Sequence, residues 1–202
     1  MSLIISTSDK HYLHMNVLLR HASGRSGGAE SDIETILTEA ATGRRRIWAN
    51  SMLLAELRPS AFVSGSFPEL ADFTRYLRSV VTFVSPDPNT MLRAARLRDV
   101  KWERPAALRR PSEKPRFLSL LDAIQLASAL WVKETAGVAD LEFLAFEDFG
   151  ANEANGGWLS VLRLQDYAEE TPNDSDVLAA LRLPRAEPVL RARAAARSAA
   201  VG

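Results

Sequence analysis

Leu120-Leu121-Asp122-Ala123-Ile124-Gln125-Leu126-Ala127-Ser128-Ala129 is the stretch that decides the fold. Its small and apolar residues recur at helical spacing, and Asp122 stands at the start of that helix. About twenty residues later a second apolar run, Leu141–Phe146, ends in two adjacent acids, Glu147 and Asp148. Upstream, Ser51 is the expected N-cap of a helix carrying Leu53, Leu54, Glu56 and Leu57. Three separated segments thus each offer an acid. A carboxylate at a helix start, joined by carboxylates at strand ends, is one way an α/β fold presents acids to a divalent metal.

Strand and helix signals alternate on either side of this stretch. Leu3–Ile5, Ile47–Ala49, Val80–Val84, Leu141–Phe146 and Leu159–Leu164 read as short strands. Asp32–Ala41, Pro68–Ser79, Pro88–Arg98, Leu118–Glu134 and Asp176–Leu181 read as helices. Tyr12–Leu19 is a further apolar run. In Pro88–Arg98 the inward face is expected to carry Met91, Leu92, Ala95 and Leu97. His21–Ser31 and Lys101–Arg116 read as loops, the second holding three prolines and six basic residues. Short apolar strands between helices imply βαβ units and a mainly parallel sheet, in which ligands gather at the carboxyl ends of the strands. Residues 1–170 are expected to form the main domain. Residues 171–202 form a C-terminal extension ending in an Ala/Arg tail that is helical or frayed.

Composition sets limits. The chain has 202 residues, no Cys, and 25 basic against 25 acidic side chains. The absence of Cys excludes disulfides and thiolate metal sites and agrees with a cytoplasmic location. No signal-peptide pattern and no run near ~20 apolar residues is seen, so no membrane partner is expected. The balanced charge argues against a nucleic-acid binder whose whole surface is basic, while local basic patches remain open. Arg104, Arg109, Arg110, Lys114 and Arg116 share one loop and are candidates for contacts with RNA phosphates, or simply a solvated loop. Arg44, Arg45 and Arg46 follow a helix, where cations favour the C-terminal dipole. The four Trp residues are scattered and form no stacking platform in the sequence.

Four segments, Tyr12-Leu-His-Met-Asn-Val-Leu-Leu-Arg20, Ser51-Met-Leu-Leu-Ala-Glu56, Leu121-Asp-Ala-Ile-Gln-Leu-Ala-Ser-Ala129 and Phe143-Leu-Ala-Phe-Glu-Asp148, together resemble the PIN domain family in order and approximate spacing. The likeness covers roughly residues 10–165. It implies a three-layer α/β/α sandwich and a metal-dependent endoribonuclease of the kind found as the toxin half of bacterial toxin–antitoxin pairs. It also implies Mg²⁺ or Mn²⁺ held by Glu56, Asp122 and Glu147, with Asp148 beside them, an antitoxin partner and a homodimer.

The family usually opens with a strand ending in Asp-Thr-Asn. Here His14 falls on the Asp and Met15 on the Thr, while Asn16 matches. A second register would put Ser6 on the Asp, and neither register supplies the acid. Ala145 replaces the Thr of the family's Thr-Phe-Asp, and Glu147 falls on its Asp. His14 suits Mn²⁺ better than Mg²⁺ as a ligand, or it disables the site and leaves a module that binds RNA or protein. Each candidate also has a plainer role: Asp122 as a helix cap, Glu56 as a surface or ion-paired residue, Glu147 and Asp148 as loop acids, and His14 as a core histidine. With all of these plain roles, the chain would be an unrelated α/β domain.

Overall fold

In the computed structural model the described residues are 8–23, 30–56, 67, 69–147, 157–170 and 173–188. They belong to two compact units: Met1–Ser85 with Asp140–Phe146 and Arg185–Gly202, and Pro86–Ala139 with Glu147–Pro184. Among the described residues, no helix is long and apolar enough to cross a membrane.

The first unit holds β1 (Lys10–Leu13), α1 (Met15–Ser23), α2 (Glu30–Ala41), β2 (Arg46–Asn50), α3 (Leu53–Glu56), α4 (Leu70–Val80), β3 (Thr82–Val84), β4 (Glu142–Leu144) and β5 (Arg185–Ala186). The five strands form one sheet in the order β3-β2-β1-β4-β5, and every neighbouring pair is parallel. This is the α/β class expected, and its strand order is consistent with a three-layer α/β/α sandwich. Parallel strands of this short length must be buried on both faces, which explains why they read as apolar runs rather than alternations. On one face Leu13, Ile47, Ala49, Leu144 and Ala186 share a core with Val17 and Leu18 of α1, Ile33, Ile36 and Leu37 of α2, and Phe73, Leu77 and Val80 of α4. On the other, Tyr12 and its register partner Phe143 stack with ring centroids 5.4 Å apart.

Tyr12–Leu19 proves to be two elements. The strand ends at Leu13, and α1 starts at Met15. Val80 closes α4 instead of opening β3, because it sits one helical turn after Leu77 and Tyr76 on the α4 core face. The expected strand at Leu3–Ile5 lies outside the described residues, as does most of the Ala/Arg tail.

The second unit holds α5 (Pro88–Asp99), a 3₁₀ turn (Ala106–Leu108), α6 (Leu120–Glu134), a 3₁₀ helix (Val161–Glu170) and α7 (Ser175–Arg182). Within it α5 packs on α6, and both touch α7. Asp87 caps α5 by accepting from the Thr90 N–H at 2.7 Å, and Pro88 takes the first helical position. The inward face of α5 is Thr90, Ala94 and Leu97; Met91, Leu92 and Ala95 are exposed. The expectation follows the larger apolar side chains, which places the helix a third of a turn out of phase. Nine residues of α6 are buried between Ala123 and Val132, all around the helix, as its Ala-rich composition requires.

Leu159–Leu164 is not a strand. Val161, Leu164 and Tyr167 are buried while Gln165 and Asp166 are exposed, a period of three that a 3₁₀ helix satisfies. Residues beyond 170 contribute α7 to this unit and β5 to the sheet of the first.

Candidate site at the carboxyl edge of the sheet

In an open parallel sheet the ligand crevice lies beyond the carboxyl ends of the strands, where the strand order reverses. Here the reversal falls between β1 and β4. β1 runs into His14 and Asn16, and β4 runs into Ala145 and Phe146.

His14 is 4% exposed. Its N–H donates to the Leu144 carbonyl at 2.8 Å, tying the end of β1 to the end of β4. Its carbonyl accepts from the Val17 N–H at 3.1 Å, and its Nδ1 accepts from the Asn16 N–H at 3.3 Å. The imidazole thus does at the start of α1 what a capping Asp would do: it satisfies one of the helix's orphan N–H groups. A ring nitrogen that accepts is unprotonated, so the ring proton belongs on Nε2. Asn16 crosses to β4 in two directions. Its Nδ2 donates to the Phe146 carbonyl at 2.8 Å, and its Oδ1 accepts from the Phe146 N–H at 3.1 Å. The Arg20 guanidinium lies 4.1 Å from the centre of the Phe146 ring, which brings a cation to this edge.

Along the same edge, the buried Asn50 accepts from the Met52 N–H at 2.8 Å and opens the turn into α3. The expected cap, Ser51, instead donates its N–H to the Val84 carbonyl at 2.9 Å and sets its hydroxyl 3.2 Å from that of Ser85. The Asn50 side-chain oxygen reaches two residues on, as an Asx turn does, and so shapes the turn ahead of α3. Glu56 is the last residue of α3.

The other acids belong to the second unit. Asp122 is in the first turn of α6, and the N-cap is Ser119. The Ser119 hydroxyl accepts from the Asp122 N–H at 3.1 Å and donates to the Asp122 carboxylate at 2.7 Å. The helix dipole favours a carboxylate there. Ser119→Ala is expected to cost about 1 kcal/mol in urea unfolding, the usual worth of an N-cap hydroxyl. An unchanged midpoint would mean that Asp122 caps the helix unaided. Glu147 directly follows Phe146 in the chain, and its Oε1 lies 3.3 Å from Nε of Arg163. Asp148 lies outside the described residues.

The basic loop is largely self-paired. Arg104 faces Glu113 at 3.1 Å, and Arg109 faces Glu103 at 3.0 Å and also donates to the Arg104 carbonyl. Arg116 is 4% exposed, with its guanidinium 5.9 Å from the Tyr167 ring centre. Of the five basic candidates, Arg110 and Lys114 are exposed.

The described donors do not fit a magnesium ion. Magnesium demands hard oxygen ligands; His14 offers nitrogen, and that nitrogen already accepts from Asn16. Among the described residues no group of three or more His, Asp or Glu side chains is arranged to hold a metal ion.

A cavity of about 420 Å³ opens in the second unit between α5, α6 and α7, beside Trp131. Its charges are internally matched: Arg93 meets Glu134 at 2.6 Å and Asp176 at 2.9 Å, and Arg96 also pairs with Asp176. Compared with protein-family models, curated proteins and solved structures, the chain matches none.

Proposed function

We propose that this chain is a PIN-like domain that binds RNA at the carboxyl edge of its sheet and has lost magnesium-dependent hydrolysis. The observation that carries this reading is His14. It occupies the strand-end position at which the resemblance expects a carboxylate, at the point where the strand order reverses, and its Nδ1 is committed to the Asn16 N–H. Asn16, the residue that matches the family, keeps a structural task by clamping Phe146. Arg20 supplies a cation at this edge for phosphate contact.

Anisotropy of a labelled mixed-sequence RNA in EDTA, run beside a cleavage assay in Mg²⁺ and Mn²⁺, tests the proposal. Binding without metal and without cleavage is expected. His14→Asp should keep the cap through one carboxylate oxygen and return the other as a hard ligand. Cleavage by that variant in Mg²⁺, abolished again by adding Asp122→Asn, is the expected gain. Metal-dependent cleavage by the unaltered chain that needs Asp122 would overturn the loss of hydrolysis and restore the toxin-like nuclease, with its expected antitoxin. Absence of RNA binding from folded protein would overturn the binding role.

A further inference from the structure

The opposite edge of the sheet carries a charged cavity that has no part in the proposed RNA site. It measures about 390 Å³ and lies entirely within the first unit. Its walls come from the ends of α2 and α4 and the starts of β2 and β3; Arg45, Arg46 and Arg78 line it together with Trp48. Among the described residues, no carboxylate lines it. Glu39 pairs with Arg45 and offsets that one charge, which leaves Arg46 and Arg78, among the described residues, as the cavity's uncompensated cations.

The three arginines are not equivalent. Arg45 is held in place by Glu39, by the Ser8 carbonyl and by His11. Arg46 and Arg78 are exposed, and among the described residues neither guanidinium has an ion pair. A helix C-terminus favours a cation in its last turn, which accounts for Arg78 in α4. It does not account for Arg46, which opens β2. Because the whole chain is electrically balanced, this concentration of positive charge is local. Guanidinium groups match phosphate oxygens in a planar, two-pronged geometry. An indole beside them offers a face on which a base can stack.

We infer that this amino-edge cavity is a nucleotide-binding site, with Arg46 and Arg78 taking the phosphate and Trp48 the base. The ligand chemistry is a phosphate joined to an aromatic base, met either in a free nucleotide or in one link of single-stranded nucleic acid. The inference stands apart from the carboxyl-edge reading: it requires neither the PIN resemblance nor any event at His14.

Calorimetric titration of the full chain with AMP, adenosine and inorganic phosphate tests it. AMP should bind more tightly than adenosine and more tightly than phosphate alone. Each of Arg46→Ala and Arg78→Ala should weaken AMP by about tenfold, the usual worth of a charge-assisted hydrogen bond. Trp48→Leu should weaken AMP and leave phosphate unchanged. Both arginines are exposed, so the thermal midpoint should hold, and Arg46→Lys with Arg78→Lys should recover part of the affinity.

A ten-residue oligouridine distinguishes the two sources. If the site takes a strand, the oligomer binds more tightly than UMP, and Arg46→Ala with Arg78→Ala reduces its salt slope by about 0.7, the worth of the one phosphate no longer neutralised. Equal affinity for oligomer and UMP assigns the site to free nucleotides. AMP binding no better than adenosine, or unchanged in the double alanine variant, would overturn the inference.

Discussion

Asn16→Ala is expected to destabilise the protein by about 2–4 kcal/mol, because it strips partners from two backbone groups at once. The Asn16 amide donates to the Phe146 carbonyl at 2.8 Å and accepts from the Phe146 N–H at 3.1 Å. Phe146 is 6% exposed, so truncation leaves both peptide groups with little water to replace the missing bonds. The side chain joins the first turn of α1 to Phe146, two residues beyond β4, across 130 positions of sequence. For a chain of this length the deficit corresponds to a fall in the thermal midpoint of about 5–15 °C.

Asn16→Asp sharpens the test. Ionised, it can still accept from the Phe146 N–H, but its second oxygen then faces the Phe146 carbonyl where a donor stood. Protonated, it regains a donor. Its folded-state pKa is therefore raised, so its contribution to stability is present below the ordinary carboxyl pKa and is lost as pH rises through the raised value. The deficit of Asn16→Asp against the unaltered chain should accordingly shrink on acidification, whereas that of Asn16→Ala should not follow this pattern. A deficit below about 1 kcal/mol for Asn16→Ala, the worth of a single ordinary hydrogen bond, would show that the clamp is not what joins the two strand ends.

The clamp also shows where sequence reading stops. α6 is legible because Ala123, Ile124, Leu126, Ala127 and Leu130 carry helical spacing, with Asp122 near its start; that Ser119 is the cap is seen only in the structure. β4 is legible as an apolar run ended by acids. The boundary at His14 is hidden, because a strand buried on both faces lacks alternation and Leu13 runs into the apolar face of α1. The 3₁₀ helix at Val161 reads as a strand, since Leu159 and Val161 alternate before the period of three begins.

At the site, the acids can be named from sequence but their partners cannot. The basic loop is no exception: Glu103 adjoins Arg104 in sequence but pairs with Arg109, while Arg104 pairs with Glu113, so the partners are crossed. Nothing local links Asn16 to Phe146, or Arg78 to Arg46. Those depend on parallel pairing between segments far apart in the chain, which a single sequence does not encode in readable form.

The same holds for His11, whose surroundings predict a stability that depends steeply on pH. His11 is fully buried in β1. Burial, and then the Arg45 guanidinium, depress its pKa from 6.5 to about 4, against the weaker pull of Asp9, the Ser8 backbone and Glu39. The Arg45 Nη1 lies 2.6 Å from Nε2, so Nε2 accepts and Nδ1 carries the proton. Nδ1 lies 3.6 Å from the carboxylate of Glu142, itself 5% exposed, too far for a hydrogen bond. A carboxylate there favours imidazolium, but the closer guanidinium and the exclusion of water favour the neutral ring.

Between pH 6.5 and about 4 the unfolded chain therefore binds a proton that the folded chain refuses. Stability contributed by His11 is fully present above pH 6.5 and is lost as pH falls toward 4, by about 3 kcal/mol across the window. Urea unfolding of the unaltered chain and of His11→Gln at about pH 7 and about pH 4 isolates this contribution from that of the carboxylates, which both proteins share. The stability of the unaltered chain relative to the variant should fall by about 3 kcal/mol on acidification. Only three histidines are present, so the His11 ring can be followed by NMR. A ring titrating near 6.5 would mean that Glu142 offsets burial and Arg45, and His11 would then contribute no pH dependence to stability.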